Sequence, residues 1–127
     1  MTDRATVEHL LQELHAARLA SDLERLCALF APEARLRIVG ASEGRPILIT
    51  ANGSAEIRTW LAMLVKTFRL SDYQCLALLV DGERATAHWR VQIRSKITGT
   101  LVATELMDLI ETRDGRIQAH TEFFVPG

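Results

Sequence analysis

The sequence predicts an α+β domain in which helices come first and a long antiparallel meander comes last. Three observations carry that expectation. Apolar residues recur at helical spacing through the first half, the period changes to two from Tyr73 onward, and Gly-containing turn signals separate the later runs. Such a pattern folds as a curved sheet closing on its helices. At 127 residues the chain (1–127) is a single domain, large enough for a real core but with no room for a second domain.

Val7, Leu10, Leu11, Leu14 and Ala17 share one helical face, predicting an amphipathic helix over 4–19. Ser21 and Glu24 fit a capping box that starts a second helix bearing Leu23, Leu26, Cys27 and Phe30, which Pro32 ends. Residues 35–39 and 46–50 read as short strands around a Gly/Ser/Glu loop. Asn52-Gly53-Ser54 caps a third helix whose buried stripe is Ile57, Leu61, Leu64 and Phe68. Long strands follow at 73–80, 84–96, 100–112 and 116–125, joined by turns at Asp81-Gly82, Thr98-Gly99 and Asp114-Gly115.

Composition narrows the function classes. Nearly half the residues are apolar, which fits a globular chain. A net charge of −1 without a basic cluster argues against nucleic acid as a partner, and the apolar runs are too short for a membrane span. Met1 leads into a charged, amphipathic stretch rather than a signal peptide. Cys27 and Cys75 lie on separate elements and form no ligand motif, so they read as reduced core thiols of a cytoplasmic protein. The chain carries no Gly-rich phosphate loop, no metal-spaced histidines and no Ser or Cys nucleophile motif, and the expected cofactor is none.

Chemistry concentrates in the last hairpin, which holds Asp108, His120 and Glu122. A turn over Arg113-Asp114 with Gly115 as bulge residue pairs Asp108 with His120 and Leu106 with Glu122, all on one face. A two-residue turn at Asp114-Gly115 pairs Asp108 with Thr121 and sends His120 to the other face. The first register is the favoured one. Alternation along the last strand would bury Ile117, Ala119, Thr121, Phe123 and Val125 and leave His120 and Glu122 in water. In the strand before, Ala85, Ala87, Trp89, Val91 and Ile93 form an apolar row, and Thr86, His88, Arg90, Gln92 and Arg94 a polar one. Either row of that sheet could face the interior.

Ser21-Asp22-Leu23-Glu24, Ala28-Leu29-Phe30-Ala31-Pro32-Glu33-Ala34, Gly53-Ser54-Ala55-Glu56-Ile57 and the hairpin segments Asp108-Leu109-Ile110-Glu111 and His120-Thr121-Glu122-Phe123-Phe124 resemble the nuclear transport factor 2-like superfamily. Within it, they resemble the SnoaL-like and ketosteroid isomerase-like proteins. The resemblance implies a cystatin-like cone, with three N-terminal helices packed on a curved antiparallel (mixed) β-sheet. It also implies that the even face of the last strand looks into a pocket, and that the odd, apolar face packs against a second subunit as a homodimer. In steroid isomerases of this superfamily the oxyanion-stabilising acid falls at Asp108. Their tyrosine falls at Leu14 and their base at or beside Ile38, which argues against steroid isomerisation here. In limonene epoxide hydrolases two carboxylates fall at Asp108 and Glu122, but the arginine between them falls at Leu106, and the water-holding tyrosine and asparagine are missing from Leu36 and Ile38. SnoaL-type cyclases place an Asp base at Glu122 and a His at Asp108.

The expectation is therefore acid–base catalysis of isomerase, cyclase or hydrolase type on a small, apolar, oxygenated molecule. Glu122 is the base, and Asp108 and His120 are acid or oxyanion donors, with one carboxyl held neutral by apolar surroundings. Leu14, Ile38, Trp60, Phe124, His88 and Arg90 are the candidate substrate-binding residues, with solvation the competing role for His88 and Arg90. Trp89 reads as dimer contact or core, Tyr73 as structural, and His15 as exposed or near the cavity mouth. The alternative is a non-catalytic module of the same fold that binds a small molecule, or that only dimerises with its cavity filled.

Overall fold

A computed structural model describes residues 3–126; the reading of the start at Met1 lies outside them. The elements are α1 (Arg4–Leu19), α2 (Leu23–Ala28), β1 (Phe30–Ser42), β2 (Arg45–Asn52), α3 (Gly53–Thr67), β3 (Phe68–Asp81), β4 (Arg84–Ser95), β5 (Leu101–Arg113) and β6 (Arg116–Pro126). The six strands form one curved, mixed sheet in the order β2-β1-β6-β5-β4-β3, with β1 and β6 parallel and every other pair antiparallel. Helix α1 packs over β3 and β4, and α3 over β1 and β2, so the three helices cover one face of an unclosed α+β cone.

Local chemistry explains the boundaries. Asp3 caps α1 by accepting the Thr6 N–H, and Val7, Leu11, Leu14 and Ala17 turn into the core. The cap of α2 is Asp22, not Ser21; Ser21 takes a left-handed backbone and Asp22 accepts the Arg25 N–H. Helix α2 stops at Ala28, and the strand that follows runs through Pro32, where the pairing with β6 is irregular because proline has no N–H to donate. Strand β1 turns into β2 through Glu43-Gly44, both left-handed, as a tight two-residue hairpin requires. Strands β1, β2 and β3 run longer than the hydrophobic pattern alone marks, because ladder pairing carries on past the apolar residues, whereas β4, β5 and β6 keep their expected bounds to within one residue.

The core divides in two. A larger cluster joins α1, α3 and the floor of the sheet through Leu11, Leu14, Leu36, Ile57 and Ile110. A smaller one, Leu70, Trp89, Val91 and Leu106, sits toward the open end. The opposite face of the sheet leaves Leu79, Met107, Leu109, Phe123 and Val125 exposed. Neither cysteine is a core residue: Cys27 is half-buried, Cys75 is exposed on β3, and both thiols are free.

Candidate functional site

The terminal hairpin settles which face carries the polar residues, by neither expected register. Arg113 pairs with Arg116 around Asp114-Gly115, both at positive φ, so the turn has two residues. Between Glu111↔Ala119 and Thr112↔Ile117 the strand β6 holds one residue more than β5, leaving Gln118 as a bulge. That extra residue reverses the parity. Asp108 lies opposite Glu122, Leu106 opposite Phe124 and Ile110 opposite His120. Asp108, His120 and Glu122 therefore share the inner face, and Phe123 and Val125 turn outward.

Helix α1 brings a histidine and an arginine down onto these three. His15, Arg18, Asp108, His120 and Glu122 are between 1% and 8% exposed, five ionisable side chains inside a small core. Burial on that scale demands mutual compensation. Asp108 supplies most of it: Oδ1 accepts from His120 Nε2 at 2.7 Å, and Oδ2 accepts from His15 Nε2 at 2.7 Å and from Trp89 Nε1 at 2.8 Å. Burial pushes the Asp108 carboxyl up, but the hydrogen bonds and charges of His120 and His15 outweigh it and hold the group well below the usual carboxylate range. The three N–H groups thus favour the charged form of Asp108, the direction opposite to that expected of an acid held neutral by apolar surroundings. Tyr73 Oη lies 2.7 Å from His15 Nδ1, and the His15 ring stacks at a tilt on Trp89 with centroids 4.4 Å apart. Burial first, then the neighbouring Cys75 and Asp108, push the Tyr73 hydroxyl up to about 12.

Glu122 has a different partner. Arg18 Nη1 donates to its Oε1 at 2.5 Å, and the guanidinium carbon lies 6.0 Å from the Trp89 ring centroid. Burial opposes the Arg18 charge, yet Glu122 and Asp108 outweigh it and raise the guanidinium further, so the group stays charged. This ion pair closes one side of a cavity of about 380 Å³. The walls are apolar: Ile38 and Ile49 from the β1–β2 hairpin, Leu64 from α3, Leu70 from β3, and Leu106 and Phe124 from β5 and β6. Hydroxyl side chains enter at Ser42, Ser95, Thr100 and Thr104.

Of the candidate residues, Glu122, Ile38 and Phe124 line this cavity, while Asp108 and His120 lie behind its wall. Leu14 is packed in the larger core, and Trp60 is half-buried against that core rather than facing the cavity. His88 and Arg90 stand on the outer face, because the inward turn of Trp89 sends its neighbours outward; there they meet Glu105 at 3.1 and 3.8 Å. His15 is buried rather than exposed, and Trp89 is core, donating to Asp108, rather than a dimer contact. Arg18 was not among the candidates. Its signal is nonetheless present, since Leu11, Leu14, His15 and Arg18 occupy one face of α1.

Asp108, His120 and Glu122 bring potential metal-ligand atoms within 4.8 Å of one another. Their donors are committed elsewhere, to His120–Asp108 and Arg18–Glu122 hydrogen bonds, and a guanidinium against Glu122 opposes a second cation. The set reads as an ion-pair network. One atom stands outside it: His120 Nδ1 is buried with no hydrogen-bond partner among the described residues.

The SnoaL-like domain model matches residues 11–120, and the chain belongs to that family. A candidate isomerase from Bacillus subtilis superposes over 98% of this chain and 90% of its own, with a TM-score of 0.85 and 22% identity. An epoxide hydrolase from M. tuberculosis, of the LEH-like type, superposes over 95% and 84%, with a TM-score of 0.73 and 14% identity. A candidate polyketide cyclase from Xanthomonas campestris covers 96% and 92%, with a TM-score of 0.74 and 19% identity. At these identities the likeness is one of fold. No curated protein matches the sequence significantly. Among the described residues, no helix is long and apolar enough to cross a membrane.

Proposed function

We propose that this protein is an acid–base enzyme that takes a small, mostly apolar, oxygen-bearing molecule into the cavity and moves a proton on it. The observation that carries the reading is the Arg18–Glu122 pair at the wall of an otherwise apolar space. A cavity of about 380 Å³ lies within the usual range of ligand pockets. Glu122 is the base, abstracting a proton next to a carbonyl or activating a water. Arg18 has guanidinium N–H groups beyond the one given to Glu122, and these receive the oxygen on which negative charge develops. Asp108, His15, His120 and Trp89 are positioning residues. They fix α1 against β4, β5 and β6 and so hold Arg18 over Glu122.

The structural neighbours are named as a candidate isomerase, an epoxide hydrolase and a candidate polyketide cyclase, and those names support a catalytic use of the same fold here. The exposed apolar row Leu79, Met107, Leu109, Phe123 and Val125 supports a homodimer joined through the outer face of the sheet. An open cavity counts against a scaffold whose interior is plugged.

The test is deuterium exchange α to the carbonyl in a panel of small cyclic ketones and enones, with hydrolysis of small epoxides assayed in parallel. Wild-type protein is expected to accelerate one of the two reactions, and Glu122→Gln to lose that rate while binding the same compound. Binding without rate in the wild type overturns the catalytic reading and leaves the binding module. Equal rates in wild type and Glu122→Gln overturn the role of Glu122.

A further inference from the structure

Phe124 is the one aromatic ring that β6 contributes to the cavity wall, and it lies two residues beyond Glu122 on the same strand face. Strand geometry sets the two Cα atoms about 7 Å apart, so a ligand whose oxygen reaches the Arg18–Glu122 pair extends its far half across this ring. Phe124 pairs with Leu106 on one side and, in the parallel ladder, with Gly40 of β1 on the other. It packs against both core clusters and joins them.

Gly40 is what lets the ring lie where it does. A Cβ built on Gly40 falls 2.4, 2.5 and 2.6 Å from Cε1, Cδ1 and Cζ of Phe124, well inside contact distance. The ring therefore occupies the place of the missing side chain. Gly40 is not among the glycines with positive φ, so its backbone suits an ordinary L-residue and the glycine answers to space rather than to a turn. Any larger residue here must displace the ring, and the side on which the ring has room is the cavity.

We infer that Gly40 and Phe124 together set the size of ligand the cavity accepts, Gly40 acting through the ring that it allows to lie flat on β1. This rests on the cavity being the ligand site, as proposed above. The selection applies to the part of the ligand remote from Glu122, so it discriminates one-ring from two-ring compounds carrying the same carbonyl.

The experiment measures binding, not turnover, of cyclohexanone and 2-tetralone by ligand-detected NMR to wild type, Gly40→Ala, Phe124→Leu and the double variant. Gly40→Ala is expected to weaken 2-tetralone about tenfold or more and cyclohexanone far less, the scale of a few misplaced methylenes in an apolar pocket. Phe124→Leu is expected to shift the preference toward 2-tetralone, and the double variant to regain the larger ligand that Gly40→Ala loses. That rescue separates size selection from a general folding defect. Parallel changes for the two ketones, or a double variant no better than Gly40→Ala, overturn the inference. Failure of wild type to bind either ketone overturns both the ligand site and the selection built on it. Size-selective binding without proton transfer sustains this inference and sinks only the catalytic reading.

Discussion

Replacing Asp108 by Asn removes one charge and almost no volume, which isolates what the buried anion does. Three N–H groups, from His15, His120 and Trp89, converge on this carboxylate. A hydrogen bond to a charged acceptor contributes about 1.5–3 kcal/mol, and to a neutral one about 0.5–1.5 kcal/mol. Neutralising Asp108 therefore costs about 1 kcal/mol on each of three bonds. The amide must also turn its NH₂ toward a donor, and the His120 side is the cheaper because only one donor points there. Relief from burying a charge offsets part of that clash, and the net expectation is a loss of about 3 kcal/mol at neutral pH. The pH dependence has a definite sign. A carboxyl held below its unfolded-state value contributes stability above that value and loses it as pH falls through the folded one. The gap between wild type and Asp108→Asn is thus complete at pH 7 and narrows below about pH 4. Urea unfolding at fixed protein concentration, followed by tryptophan fluorescence at pH 7 and pH 3, measures it. Equal stability at pH 7, or a gap that widens on acidification, refutes the reasoning.

Three further outcomes follow from the same network and its surroundings. Arg18→Met leaves Glu122 buried without its cation and is expected to cost about 3–5 kcal/mol, most of it recovered when Glu122→Leu is added; urea midpoints of the single and double variants measure this. Tyr73 is the only tyrosine, so ultraviolet titration of the phenolate reads it alone: half-ionisation is expected near 12 and falls only slightly in Asp108→Asn, because burial and Cys75, the larger causes, remain. Phe123→Lys, on the exposed apolar row, is expected to convert the proposed dimer to monomer in sedimentation equilibrium without changing the wall of the cavity.

The large-scale layout was legible because apolar spacing and Gly-containing turns report directly on helix faces and hairpins. The site was only partly so. Asp108, His120 and Glu122 stand out as polar residues in strands, yet whether they meet depends on Gln118, and a single-residue bulge leaves no mark in the apolar alternation. Both registers read from the turn were wrong in pairing, and the favoured one was right about the shared face only because the bulge restores it. His15 and Arg18 were visible on the core-facing side of α1, but charged residues near a helix end usually extend to water, and only tertiary packing shows that these do not. The resemblance to epoxide hydrolases looked for an arginine at Leu106. Here the guanidinium at the second carboxylate comes from another element, α1, which position-by-position transfer along β5 cannot find. His88 and Arg90 show the opposite error, a polar row read as site material that Trp89 turns outward.

The central claim is a division of labour between two adjacent carboxylates: Asp108 a permanent buried anion, Glu122 the one that meets ligand. Carbon-detected NMR of the side-chain carboxyls, across pH and with a ketone found to bind, tests it most directly. The account predicts that Asp108 stays ionised far below the usual carboxylate range and that the Glu122 carboxyl signal moves when ligand is added. An Asp108 that titrates near 4, together with a Glu122 signal indifferent to ligand, would contradict it.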